Sequence, residues 1–417
     1  METQLTQDMD RVTSEIQKQT GFWINPGSGD QVADLLFNKM GLKQAHPKLT
    51  ASGERESVED EVLTAIQHEH PVVGLCLEYK EFEKLLGTYV RPMPKLAKRT
   101  EFGVWRMYPN LRTTRVPSGR LSCTNPNLLA MPSRTKLGRE IRKGFITDPG
   151  WVILSTDLSQ IEPRIAAHRS QDPALISIYQ NGEDIYSDFA TAAFRLKDER
   201  HRDAEGWHYP TVSKTEHRRP AKTCVLAALY AVTGSGLQEQ MPIMCANCNK
   251  EAAVHTCKKF TPLWIEAKCQ NLIDSFYRRY CGLLRMQIDD HHYMRQHAYS
   301  LDLFGRILHV QAVRSVLPWV VNGALREGSN FPIQSTASGI LKLSMAAIDA
   351  DIAEAKMYGD VCNILLFIHD ELLWEVRADV AEDLAALNEY RMATAVQLRV
   401  PIKAASATAN SWGEVEK

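Results

Sequence analysis

Residues 151–168, WVILSTDLSQIEPRIAAH, constrain the fold more than any other stretch of this chain. Trp151 to Thr156 is a short apolar run with β-branched residues, which reads as a buried strand. It closes on Asp157, and Ser159-Gln160 then turns the chain into an amphipathic segment, Ile161 to His168. A carboxylate at the open end of a buried strand suits a divalent metal, because the strand fixes the ligand while solvent and substrate still reach it. A second acidic strand end comes late, where apolar runs from Ile364 to Ile368 and from Leu372 to Val376 flank His369-Asp370-Glu371 at a hairpin tip. Two such ends brought together, with phosphates supplied by substrate, are the layout for two-metal phosphoryl transfer. Either motif alone is equally well read as a strand-end Asp that caps the next helix. The pair favours the metal.

Bulk properties bound the rest. The 417 residues are enough for two or three domains. No apolar run approaches the ~20 residues of a membrane span. The start, METQLTQDMDRVTSEIQ, is acidic and polar, unlike a signal or transit peptide, so the expected location is the cytoplasm. There the nine cysteines read as thiols or metal ligands rather than disulfides. The net charge of −1 hides an uneven distribution, because Lys84 to Lys143 carries 14 Lys/Arg against only Glu101 and Glu140. A basic belt on a neutral protein is the footprint of a surface that tracks a phosphate backbone.

Leu5, Met9, Val12 and Ile16 predict an amphipathic helix over residues 1–20. Further helices are predicted over 31–40, 58–67 and 70–86, with a loop over 41–57. The irregular basic stretch begins at Arg91. Helices dominate again from Asp172 to His297, a hairpin is predicted over 302–321 around Gly305-Arg306, and a long helix over Thr336 to Lys356. His217 to Leu237 reads as one helix in which Arg218, Lys222, Leu226 and Tyr230 lie four apart and share a face. Two cations one turn apart can grip a triphosphate, and an aromatic two turns on can stack against a base pair.

The order SGRLSCTNPNLLAMP, DLSQIEPRIAAH, RRPAKTCVLAALYAVTG, NFPIQSTASGILK and FIHDELLWEV resembles the family A DNA polymerases, the DNA polymerase I type. The likeness runs from about residue 20 to the end. It implies a mixed α+β, right-hand architecture: a helical thumb over 1–112, truncated at its start; a palm with an antiparallel sheet over 113–180 and 301–417; and helical fingers over 181–300. It implies that Asp157 and Asp370 hold two Mg²⁺ ions, with the Leu158 carbonyl as a further ligand and Glu371 as an ancillary acid. Glu162 matches the glutamate that occupies the space of a ribose 2′-hydroxyl. Arg218 and Lys222 match triphosphate ligands, Lys222 also being a proton donor to pyrophosphate, and Tyr230 matches the tyrosine beside the templating position. Arg120, Arg326, Gln334 and His369 match residues that read the minor groove near the primer end, where acceptors are common to all correct pairs.

Several residues depart from the family pattern. Leu226 replaces the aromatic that packs on the incoming sugar, Tyr186 replaces a histidine on the triphosphate, Ala231 replaces a glycine, and Leu129-Ala130 replaces a Gln-Asn pair on the template side. Cys245-x2-Cys248-x6-His255-x-Cys257 is a candidate structural zinc site, with unligated thiols as the alternative. The other six cysteines read as packing residues, and His291 and His292 as surface residues. The family's nuclease domains have no counterpart here. The expected partners are primer-template DNA and deoxynucleoside triphosphates, and the leaning is towards a phage replication enzyme. The alternatives are a single-subunit RNA polymerase, a silent DNA-binding subunit, or one half of a split enzyme whose exonuclease and thumb-completing chain docks on residues 1–20.

Overall fold

The structure is a computed structural model that describes the whole chain except residues 45–47, 51–52, 54–55, 102, 134, 205, 252–259 and 416–417. It divides into two compact units, one of residues 1–108 and 238–268, the other of 109–237 and 269–417. Among the described residues no helix is long and apolar enough to cross a membrane.

In the first unit, α1 (Glu2–Thr20) buries Leu5, Val12 and Ile16 and stops where Gly21 takes φ 76 and its N–H bonds the Gln17 carbonyl. It packs against α4 (Pro71–Leu85), which buries Val72, Val73, Cys76, Phe82 and Leu85. Between them lie α2 (Gly29–Ala33), which widens into a π-turn over Asp34–Lys39, and α3 (Asp60–Ile66). Arg11 pairs with Glu78 at 2.7 Å and Arg91 with Glu2 at 2.8 Å, so α1 runs opposite to α4. This corrects the expectation that residues 1–20 await a second chain. The apolar stripe is already covered by α4, and each fully buried Leu, Val or Ile contributes about 1.5–3 kcal/mol to that packing. After α5 (Met93–Leu96), a two-residue hairpin, β1 (Lys98–Arg99) with β2 (Trp105–Arg106), leaves Lys95, Lys98 and Arg99 in solvent.

The second unit opens with the β3 (Asn110–Arg112) and β4 (Ser122–Thr124) hairpin and α6 (Lys136–Arg142). Its central strand is β5 (Trp151–Leu158), followed by α7 (Ile161–Ser170), α8 (Pro173–Asn181) and α9 (Ile185–Ala193). A short hairpin, β6 (His201–Arg202) with β7 (Trp207–His208), precedes α10 (Arg219–Leu229), α11 (Gly234–Gln240), α12 (Glu266–Arg279) and α13 (Cys281–His297). The chain then forms the β8 (Tyr299–Leu301) and β9 (Ile307–His309) hairpin, α14 (Pro318–Glu354), β10 (Cys362–Ile368), β11 (Glu371–Arg377), α15 (Ala381–Thr394) and β12 (Ala404–Ala409).

Strands β10, β11, β5 and β12 form one antiparallel sheet in that order. Continuous burial from Ile153 to Thr156 and from Leu372 to Val376 means that both faces are covered. Helix α15 lies on β5 and β12 and on α14, and Asn388 donates to Thr156 Oγ1 at 3.2 Å. The polar residues inside this strand are thereby satisfied rather than stranded.

Four local expectations change. The hairpin spans 299–309 rather than 302–321, with Gly305 at φ 78 in its turn. The long helix starts at Pro318, not Thr336, and passes through Pro332. An interior proline costs about 3 kcal/mol, which burial of Phe331, Pro332 and Ile333 offsets. The helix expected over 217–237 breaks after Leu229, with Tyr230 at φ −100 and Ala231 at φ 53. It resumes at Gly234, where a Cβ would lie 2.8 Å from Gln270 Cβ. Finally, His291 is half-buried with Nε2 3.1 Å from Ser329 Oγ, while His292 is exposed as expected.

Candidate active site

The register of the sheet puts the acidic residues together. Asp157 lies directly opposite Glu371 across β5 and β11, so their Cβ atoms are about 4.5–5.5 Å apart on one face. Asp370 sits in the two-residue turn joining β10 to β11, and its carbonyl accepts from the Leu158 N–H at 3.0 Å. That bond locks the tip of the hairpin to the end of β5. His369 takes φ 55 there, a left-handed conformation that tight hairpin turns require. Glu371 Oε1 accepts from Ser155 Oγ at 2.6 Å, so its carboxylate is partly engaged within the sheet.

A cleft of about 380 Å³ opens beside these strand ends, lined by Arg120, Ile161, Glu162, Tyr230, Gln334, Ala337, Ser338, His369 and Asp370. Glu162 sits in its wall as a shared acceptor. Arg120 Nη2 donates to Oε1 at 2.6 Å, and the Tyr230 hydroxyl donates to Oε2. Burial and then the Glu162 charge push the Tyr230 phenol up, with Gln334 acting in the opposite direction. Burial, followed by the Arg120 charge, lowers the His369 pKa, so its imidazole is neutral at pH 7.

The cations form a neighbouring cluster. Arg218 ends a π-turn over Lys214–Arg218 and Lys222 follows one turn into α10. Both lie over the ring of buried Tyr186, with Arg218 Cζ 5.2 Å and Lys222 Nζ 5.4 Å from its centroid. Asp184, the N-cap of α9, holds Arg218 from Nε at 2.9 Å and Nη2 at 3.1 Å. It also accepts from Ser187 Oγ at 2.6 Å and from Gln160 Nε2 at 3.0 Å. Burial raises the Asp184 carboxyl, but Arg218 and Ser187 outweigh it and hold the pKa below its ordinary value. Burial drives the Tyr186 phenol up, and the charges of Glu162 and Asp370 also reach it, so the cation cluster neighbours the carboxylates.

The structure therefore gathers Arg120, Glu162, Tyr230, Gln334, His369 and Asp370 around one cleft, with Asp157 and Leu158 at its sheet edge and Arg218, Lys222 and Tyr186 alongside. Lys222 is exposed and Leu226 half-buried. Arg326 is not in the cleft wall; it is exposed on α14, eight residues before Gln334. Two residues with structural roles escaped the sequence reading. Asp184 carries a capping signal, with Ser187 three residues on, but its ion pair spans 34 positions. Gln160, at φ 53, ties the turn after Asp157 to Asp184.

The donor set suits a hard cation. Two carboxylates and a main-chain carbonyl are all oxygen, and Mg²⁺ is typically held by one or two carboxylates plus substrate phosphates. Among the described residues no group of three or more His, Cys, Asp or Glu side chains could by itself hold a metal ion. For the cysteine motif, Cys245 is buried and Cys248 half-buried in a tight turn where Asn249 N–H bonds the Cys245 carbonyl at 2.8 Å. His255 and Cys257 lie outside the described residues. Among the described cysteines Cys76, Cys123, Cys224, Cys245, Cys269 and Cys362 are buried, while Cys281 is exposed rather than a packing residue.

The architecture is that of a polymerase domain. Over 99% of this chain and 66% of the other it matches the "POL domain of Pol1 from M. smegmatis complex with DNA primer-template and dNTP", with a TM-score of 0.83 and 26% identity. The chain belongs to DNA polymerase family A, whose family model matches residues 1–414. It is 31% identical over 415 residues to a thermostable DNA polymerase I from Thermus filiformis, and 33% identical over 401 residues to DNA polymerase I from Deinococcus radiodurans. Those matches take in 99% and 96% of this chain but 44% and 37% of the relatives, so the chain spans less than half the length of each.

Proposed function

We propose that this chain extends a primer 3′ end with deoxynucleoside triphosphates on a DNA template. The observation that carries the reading is the locked register of β5 and β11, which brings Asp157 and Asp370 to one sheet edge beside Arg218 and Lys222. The primer 3′-hydroxyl gives its proton to solvent as its oxygen attacks the α-phosphorus, the bond to the bridging oxygen of the β-phosphate breaks, and pyrophosphate leaves. Asp157, Asp370 and the Leu158 carbonyl would hold two Mg²⁺ ions, which would supply acidification of the 3′-hydroxyl and neutralisation of the triphosphate charge. Arg218 and Lys222 grip the triphosphate, and Lys222 gives its proton to the leaving pyrophosphate. Tyr186 supports both cations from below. Glu162, pinned by Arg120 and Tyr230, fills the space a 2′-hydroxyl needs. Gln334, Arg120, His369 and Arg326 face the minor groove of the primer-template.

In this reading residues 1–112 are thumb, 113–180 and 301–417 palm, and 181–300 fingers. Lys95, Lys98 and Arg99 in the first unit and Arg112 and Arg115 in the second are exposed cations, and in this reading they contact DNA phosphates. A structural zinc on Cys245, Cys248, His255 and Cys257 belongs to the same proposal; the purified protein then carries one zinc per chain, and Cys245→Ser loses it.

The test is extension of a primed DNA template with Mg²⁺, using deoxynucleotides and ribonucleotides in parallel. Efficient deoxynucleotide extension with poor ribonucleotide use is expected. Preferred ribonucleotide use would make the chain an RNA polymerase. DNA binding without any extension would leave it a silent subunit.

A further inference from the structure

An apolar patch stands in solvent at the start of α14. Val316 is 93% exposed, Leu317 40% and Trp319 68%. Core packing does not account for the indole. Helix α14 buries Val321, Ala324, Leu325 and Gly328 against the cluster of Met294, Ala298, Val310 and Val313. At about 100° per residue those four positions centre opposite Trp319.

The face that Trp319 shares is polar, and Arg326 and Glu327 both stand exposed on it. Asn322 and Arg326 follow at i+3 and i+7, both exposed. Asn330 comes one turn later, and its buried Oδ1 has no hydrogen-bond partner among the described residues. Gln334, in the wall of the cleft, ends the row. From Asp302 to Glu327 the sequence holds Arg306, Arg314, Arg326 and His309 against two acids, buried Asp302 and exposed Glu327. Arg306 is paired with Asp302 at 3.2 Å, while Arg314 and Arg326 are exposed.

We propose that Trp319 is a base-stacking platform for unpaired template DNA, at the far end of a track running along α14 to the cleft. The proposal rests on the polymerase reading. An exposed indole followed along its helix face by Asn322, Arg326 and Asn330 fits a polyanion that presents flat π-faces, and an unpaired nucleotide offers such a face. Trp319 and Gln334 are about 22 Å apart at 1.5 Å per residue. At the duplex spacing of about 3.4 Å per nucleotide of one strand, that is at most about six nucleotides, and fewer for a more extended unpaired strand. The platform therefore serves the template strand away from the reacting pair.

The test uses the full chain and two labelled hairpin DNAs of identical duplex, one blunt and one with a 5′ overhang of about ten nucleotides. Binding is measured by anisotropy at several salt concentrations for wild type, Trp319→Ala, Trp319→Phe and Arg326→Ala. Trp319→Ala is expected to weaken the overhang hairpin about tenfold, the order of one stacked base, and to leave the blunt hairpin and the salt slope unchanged. Trp319→Phe restores most of the loss. Arg326→Ala weakens both hairpins and reduces the salt slope by about one. Equal effects of Trp319→Ala on the two hairpins, or no effect on either, would overturn the platform. So would a change in self-association without a change in DNA affinity. Blunt-hairpin binding by wild type reports separately on the underlying reading, and its absence would remove both.

Discussion

Arg218 and Asp184 are joined by two parallel hydrogen bonds of 2.9 and 3.1 Å, and the same carboxylate caps α9 through Ser187. One residue thus fixes the Arg218 guanidinium and the helix that carries Tyr186. Asp184→Asn keeps the shape and removes the charge. It should lower stability by about 1.5–3 kcal/mol, the range for hydrogen bonds to charged groups, and raise the KM for deoxynucleotides more than it lowers kcat. The Asp184 pKa is depressed in the folded state, so its contribution is present above the ordinary carboxylate value near 4 and is lost as pH falls below that. Urea titrations of both proteins at pH 7 and pH 3 check this; an equal difference at the two pH values would contradict it.

Glu162 accepts from Arg120 and from Tyr230. Glu162→Ala vacates the wall of the cleft and releases both donors. Discrimination against ribonucleotides should fall by about 10- to 200-fold, the range one small pocket contact supplies. Single-nucleotide incorporation with matched deoxy- and ribonucleotides measures it. Unchanged discrimination would remove Glu162 from sugar selection.

Ala231 holds φ 53 at the break between α10 and α11. A non-glycine residue pays roughly 1–2 kcal/mol in that region, part of which glycine returns through a more flexible unfolded chain. Ala231→Gly should therefore stabilise the protein by about 0.5–1 kcal/mol, seen as a higher urea midpoint at constant m-value. A lower midpoint would show that this backbone is unstrained.

Burial lowers the His291 pKa, with Arg295 and His292 assisting and Asp290 opposing. The unfolded chain then binds the proton more tightly than the folded one. Stability is full above the ordinary histidine value near 6.5 and declines as pH falls through it towards the lowered folded value. His291→Gln should flatten the stability profile between about pH 7 and pH 5. An identical slope in the variant would exclude His291 as the source.

The legible part of the fold was the part written in strong local pattern. The apolar runs before Asp157 and around Asp370 announced three strands, β5, β10 and β11, and the two acidic strand ends were expected to come together. What misled were residues whose local meaning is overridden by packing. Pro332 reads as a helix stop, yet burial carries α14 through it. Tyr230 and Ala231 lie inside an apparently helical run, yet the helix breaks there with Ala231 at φ 53 and resumes at Gly234, where Gln270 approaches too closely for a side chain. The Asp184–Arg218 pair and the Gln160 bridge were not readable, since no periodic pattern links residues so far apart. The stripe of α1 was read correctly as apolar and wrongly as open, because α4 covers it from beyond a long connection.

The most direct test of the account is single-turnover extension of a primed template at saturating Mg²⁺ by wild type, Asp157→Asn and Asp370→Asn, with DNA affinity measured in parallel. Each substitution should keep DNA binding and reduce the rate by about three orders of magnitude or more, the several kcal/mol that metal-assisted charge stabilisation supplies. Extension at the wild-type rate by either variant would contradict the assignment of this sheet edge as the reacting centre.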